Sequence, residues 1–225
     1  MGKISLYIRL ILWCLLMCEA YSEDFWDHAM RTHYEQRVSL FNSLEVKDDA
    51  LIMLGNSITA SCNWSELFNN DKIINRGIGG DTTEGILKRI DFLKNCNPDA
   101  VFLLIGTNDL SQGKTPDEII SNYGKIIKTI TAYNPRLNLF IQSVLPINTN
   151  LFILPPKYDN NTIQLLNKMI KNLEGGRVKY INLYDKFLDD NGNLKIEYSN
   201  DGLHLTGTGY LQWQGILLET FDRFK

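Results

Sequence analysis

At 225 residues, 44% of them hydrophobic and 22% charged, the chain has the profile of one globular domain with a full core. A formal net charge of −3 and the lack of any dense Lys/Arg run argue against a nucleic-acid partner or a basic membrane-surface patch. No internal repeat, low-complexity tract or Pro/Gly/Ser-rich linker divides the sequence.

The first 22 residues stand apart. Lys3 and Arg9 precede an apolar run from Leu10 to Cys18, and small and polar residues follow. This is the layout of a secretory signal, with cleavage expected after Ala20 or Ser22 and a secreted or periplasmic location. An uncleaved anchor is the alternative, although the apolar run is short for a bilayer span. Cleavage at Ser22 removes Lys3, Arg9 and Glu19, taking the net charge from −3 to −4, and leaves Cys62 and Cys96 of the four cysteines. We expect these two as separate buried thiols; two cysteines make no metal site. Residues 23–225 then read as a single domain, with no stable membrane insertion once the signal is removed.

Residues 25–44 have the spacing of an amphipathic helix, with Val38, Phe41 and Leu44 recurring on one side. Beyond them, strand-like runs at 50–54, 72–76, 100–105, 137–145 and 178–183 alternate with segments of helical period. Those segments are 62–69, 83–95, 116–133, 160–174 and the stretch from about Thr208. Continuously apolar strands separated by helices predict an α/β fold, a five-stranded parallel sheet covered on both faces in a three-layer α/β/α sandwich. Ligands in such sheets bind beyond the carboxyl ends of the strands. There the first three strands deliver "GNS", "GIGGD" and "GTND", and "NDGLHL" near the chain end adds the one histidine outside the N-terminal helix.

These clusters hold the parts that acyl transfer needs. Ser57 is the candidate nucleophile and His204 the candidate base, since an imidazole titrates near neutrality. Asp201, three residues earlier, can orient that imidazole. The backbone N–H groups of Ser57 and Gly80 and the side-chain amide of Asn108 are the candidate oxyanion donors. No cofactor or metal is called for.

The blocks "GNSIT", "NRGIGGDTT", "IGTND" and "DGLH" resemble, in order and spacing, those of the SGNH hydrolases, the GDSL esterase/lipase family, from Leu51 to Tyr210. The resemblance extends to platelet-activating-factor acetylhydrolase subunits and secreted bacterial sialate or carbohydrate O-acetylesterases. It implies a flavodoxin-like SGNH fold and a serine esterase acting on short acyl, above all acetyl, esters of sialic acid or other carbohydrates. It also implies the roles given above for Ser57, Gly80, Asn108, His204 and Asp201. A lysophospholipase or thioesterase, and a catalytically silent glycan-binding relative, are the rival readings. Asn56 departs from the family pattern, which has aspartate there; accepting backbone hydrogen bonds at the strand exit is work an asparagine can also do.

Supporting roles are expected nearby. Asp109 is expected to hold the loop presenting Asn108, and Asp81 and Thr82 to cap the helix that follows them. Asn63 and Trp64 are candidates for the substrate pocket, with core packing the equal alternative for Trp64. Gly77, Gly79 and Gly80 do not form a dinucleotide loop, because Thr82 fills the third glycine position and the cluster follows the second strand. His28 and His33 read as surface or packing residues. "DDNGN" at 189–193 reads as a turn rather than a calcium loop. Asn63 and Asn160 begin glycosylation patterns that matter only in a eukaryotic secretory pathway. The expected partner is a small-molecule or glycan ester; nothing in the sequence addresses the oligomeric state.

Overall fold

The computed structural model describes residues 25–151 and 157–224. The expected signal segment lies outside the described residues. Helix α1 (Phe25–Ser43) leads into β1 (Leu51–Gly55), and the short helices α2 (Ser57–Ala60) and α3 (Trp64–Phe68) follow. Next come β2 (Ile73–Gly77), α4 (Thr83–Arg89) with a 3₁₀ extension (Ile90–Asn95), β3 (Ala100–Leu104), α5 (Thr107–Ser111) and α6 (Pro116–Tyr133). The chain continues through β4 (Asn138–Gln142), α7 (Asn160–Lys171), β5 (Val178–Ile181), α8 (Tyr184–Phe187) and α9 (Gly207–Thr220), with a final 3₁₀ turn (Asp222–Phe224). Among the described residues, no helix is long and apolar enough to cross a membrane.

The five strands pair in parallel in the order β2-β1-β3-β4-β5. Every residue of β1 and β3 is buried, because helices cover both faces of the sheet. One face packs against α4, α6 and α7 through Ile86, Ile119, Tyr123, Ile126, Ile163 and Leu166. The other packs against α3 and α9 through Trp64, Tyr210, Trp213 and Leu217. Spacings of three and four put the buried residues of α6 on one stripe, and its start is fixed by Pro116 and a capping box between Thr115 and Glu118. Cys96 lies in the first cluster and Cys62 in the second, so the two thiols sit on opposite faces of the sheet and are free.

Two of the predicted spans change in extent or character. The helical period over 83–95 resolves into an α-helix that tightens to 3₁₀ at Ile90. The fourth strand ends at Gln142 instead of running to 145, because Ser143 turns its hydroxyl to accept from the N–H groups of Leu183 and Tyr184. Residues 189–193 form the expected turn, in which Asp189 accepts from the N–H groups of Asn191 and Asn193.

Strand order reverses between β1 and β3. A parallel sheet opens a crevice at such a point, beyond the carboxyl ends of its strands. Ser57 follows β1 and Asn108 follows β3.

Candidate active site

Ser57 is the first residue of α2, a helix of a single turn. One turn has almost no stability of its own, so neighbouring residues must hold it. Asn56 is its N-cap and accepts from Ile58 N–H at 3.0 Å, fully buried. At the other end the Asn75 amide reaches the carbonyls of Thr59, Ala60 and Cys62 at 2.9–3.1 Å. Trp64 Nε1 donates to Thr59 O, and Tyr210 donates its hydroxyl to Ile58 O at 2.7 Å. The turn lies so close to the sheet that a Cβ at Gly77 would run into the backbone of Ala60.

Ser57 Oγ lies 2.9 Å from His204 Nε2, and His204 Nδ1 lies 2.7 Å from Asp201 Oδ2. Asp201 Oδ1 accepts from the backbone N–H groups of Leu203 and His204, so the carboxylate fixes both the loop and the ring. Partial burial of Asp201 works to raise its pKa. The bonds from the His204 ring and from these two N–H groups outweigh it and bring the pKa below the usual carboxylate value. His204 and Asp201 keep about half their side-chain surface open, at 41% and 50%. Ser57 itself is half-buried beside them.

Gly80 takes φ +75°, a left-handed conformation that glycine adopts without strain. Asn108 donates one amide hydrogen to Asp81 O at 2.8 Å, which sets the plane of the amide and leaves its second hydrogen free to point elsewhere. Asp81 is not a helix cap; Thr82 alone caps α4, accepting from Gly85 N–H. Instead Asp81 forms a buried ion pair with Arg89, at 2.7 and 2.8 Å, and Arg89 also donates to Gly55 O at 3.1 Å. Burial pushes the Asp81 carboxyl pKa up, and the guanidinium pulls it back. One guanidinium thus joins the strand exit that carries Ser57 to the loop that carries Gly80. Asp109, fully buried, accepts from the N–H and hydroxyl of Thr83 and so ties α5 to the start of α4.

Trp64 does not line a pocket. It is 1% exposed and packs edge-on against Trp213 and Tyr210, since its large ring completes the core under α9. Asn63 is exposed and lies on an open groove of about 450 Å³ with Leu67, Tyr210 and Leu211. Asn75, Arg89 and Tyr210 hold the site without having been singled out in the sequence. The visible signal is a polar Asn75 inside an apolar strand; Arg89 and Tyr210 sit in helices, where such residues are ordinary. Among the described residues, no group of three or more His, Cys, Asp or Glu is placed to hold a metal ion.

Comparisons with known proteins bear on this arrangement. The platelet-activating factor acetylhydrolase IB subunit alpha2 of Rattus norvegicus is 30% identical over 149 residues, 65% of this chain and 63% of the relative. The match thus spans less than two thirds of that relative's length. A solved structure from Streptococcus pneumonia, described as a platelet activating factor, superposes with a TM-score of 0.79 at 28% identity. It covers 87% of this chain and 95% of its own. The lipase/acylhydrolase of Enterococcus faecalis shares the fold at a TM-score of 0.62 and 22% identity, over 76% of this chain and 94% of its own. Residues 53–211, which carry Ser57, Gly80, Asn108, Asp201 and His204, match the family of GDSL-like lipases and acylhydrolases. The chain belongs to the GDSL-like Lipase/Acylhydrolase family.

Proposed function

We propose that this protein is an exported serine esterase that hydrolyses short-chain acyl esters, chiefly acetyl esters of sialic acid or other carbohydrates, through an acyl-enzyme. The observation that carries the reading is the unbroken chain Ser57 Oγ, His204 Nε2, His204 Nδ1, Asp201 Oδ2, at 2.9 and 2.7 Å. His204 takes the Ser57 proton as Oγ attacks the ester carbonyl, and Asp201 stabilises the resulting imidazolium. The oxyanion is held by the N–H groups of Ser57 and Gly80 and by the second Asn108 amide hydrogen. As the first residue of α2, Ser57 has an N–H with no intrahelical partner, as such a donor requires. The imidazolium protonates the departing alcohol. Water deprotonated by His204 then releases the acid and restores Ser57.

Acetyl is favoured because the rat relative is named an acetylhydrolase. A saccharide alcohol is favoured by the family resemblance to carbohydrate O-acetylesterases. The groove lined by Asn63, Leu67, Tyr210 and Leu211 gives a long-chain lysophospholipase or thioesterase some footing. A series of p-nitrophenyl esters tests both readings. Cleavage that falls steeply beyond the acetyl or propionyl ester is expected; a maximum at long chains overturns the acetyl assignment. A serine-directed fluorophosphonate is expected to label the wild type and not Ser57→Ala. A folded wild type that takes no label is the outcome for a silent glycan-binding protein.

A further inference from the structure

Helix α1 precedes the segment that matches the family, yet it reaches the site. Trp26, Met30, His33, Arg37 and Phe41 follow one another at spacings of three and four, so they form one stripe along the helix. The stripe is anchored at its lower end. Phe41 is buried, with the guanidinium groups of Arg37 and Arg76 over its ring at 4.6 and 4.8 Å. Tyr34 adds a hydrogen bond to Gly85 O at 2.8 Å, at the start of α4.

Higher up, the stripe meets the loop that carries the proposed oxyanion donor. The His33 ring stands 3.6 Å from where a Cβ on Gly79 would lie, and a Cβ on Gly80 would run into the Met30 methyl group. One turn beyond, roughly 6 Å along the axis, Trp26 and Phe25 are 69% and 72% exposed, and their rings meet edge-on. Met30 also borders a cleft of about 280 Å³ whose other walls include Thr82, Glu84, Lys88 and Gln112.

We infer that Met30 and Trp26 form the wall that receives the alcohol portion of the ester and determine specificity for a saccharide there. The inference rests on the proposed esterase reading. In that reading the acyl group is short, so the larger alcohol is the part that extends past Gly80 towards Met30. The Met30 side chain and the open Trp26 indole, next to a cleft lined with hydroxyl, amide and charged groups, match the two characters of a sugar. Its C–H face stacks on an aromatic ring, and its hydroxyls hydrogen-bond. A lipid alcohol offers no hydroxyls for that polar cleft to meet.

The test compares kcat/KM for ethyl acetate, an acetylated glycerolipid and an acetylated xylo-oligosaccharide in wild type, Met30→Ala and Trp26→Ala. Circular dichroism and melting serve as the fold check. The ratio of oligosaccharide to ethyl acetate kcat/KM is expected to fall about tenfold in each variant, mainly through KM. A loss of equal factor on all three esters overturns the inference while leaving the esterase reading intact. A selective loss on the glycerolipid overturns the saccharide assignment. A wild type that cleaves none of the three defeats the esterase reading, and this inference with it.

Discussion

Asn56 stands beside the proposed nucleophile and contacts it through the backbone alone. Its side-chain oxygen accepts one bond, from Ile58 N–H, and an aspartate in that place would offer the same acceptor. We therefore expect Asn56→Asp to keep ester hydrolysis within about threefold, less than 1 kcal/mol in the barrier. Asn56→Ala should unfold more easily by about 1–3 kcal/mol, because it leaves a buried N–H without a partner and removes the cap. Urea titration of the three proteins reads the difference. Asp201 carries a separate, pH-linked expectation. Its folded pKa is lowered, so its contribution to stability is present above the ordinary value of 3.8 and is lost as pH falls through the lower folded value. The gap in melting temperature between wild type and Asp201→Asn should accordingly be open at pH 7 and close below about pH 4. At pH 7 the same variant should lose about 10³–10⁴-fold in kcat, since an amide favours the wrong tautomer of His204.

At the scale of elements, Arg89 joins α4, the exit of β1 and the loop after β2 in one buried contact set. Replacing it with methionine strands the Asp81 carboxylate, and we expect a cost of about 3–5 kcal/mol. Asp81→Asn combined with Arg89→Met should recover part of that loss, which a double-mutant cycle in urea measures. The strands were legible in the sequence because a sheet covered on both faces needs continuously apolar runs, as in "AVFLLI" and "ALIML". The four clusters behind the site were legible too, because strand ends share one edge whatever the loops do. Helices α2, α5 and α8 were not, being four or five residues long and too short to show a period. Nor was the part played by Arg89, since a charged residue that binds a distant carbonyl looks, in sequence, like one that faces water. The placement of Met30 over Gly80 is a tertiary fact with no local signal at all.

Across the whole molecule, the two cores are separated by the sheet, and each contains one thiol. Burial raises the Cys62 pKa to about 12 and raises that of Cys96 as well, so both are protonated and shielded at neutral pH. Peptide-resolved alkylation should find both unreactive in the native protein and reactive together across the urea transition. Labelling of Cys62 well before Cys96 would mean that the α3/α9 face opens first. The single turn that holds Ser57 has a further consequence in time. It is fastened by Tyr210, 152 positions away from the Ile58 carbonyl it binds, and Ser57 meets its proposed base at position 204. During synthesis the serine emerges well before Tyr210 and His204, about 150 positions ahead of them. A nascent chain therefore lacks the Ser57–His204 contact until α9 has been made and has docked, so the proposed chemistry must wait for the fold.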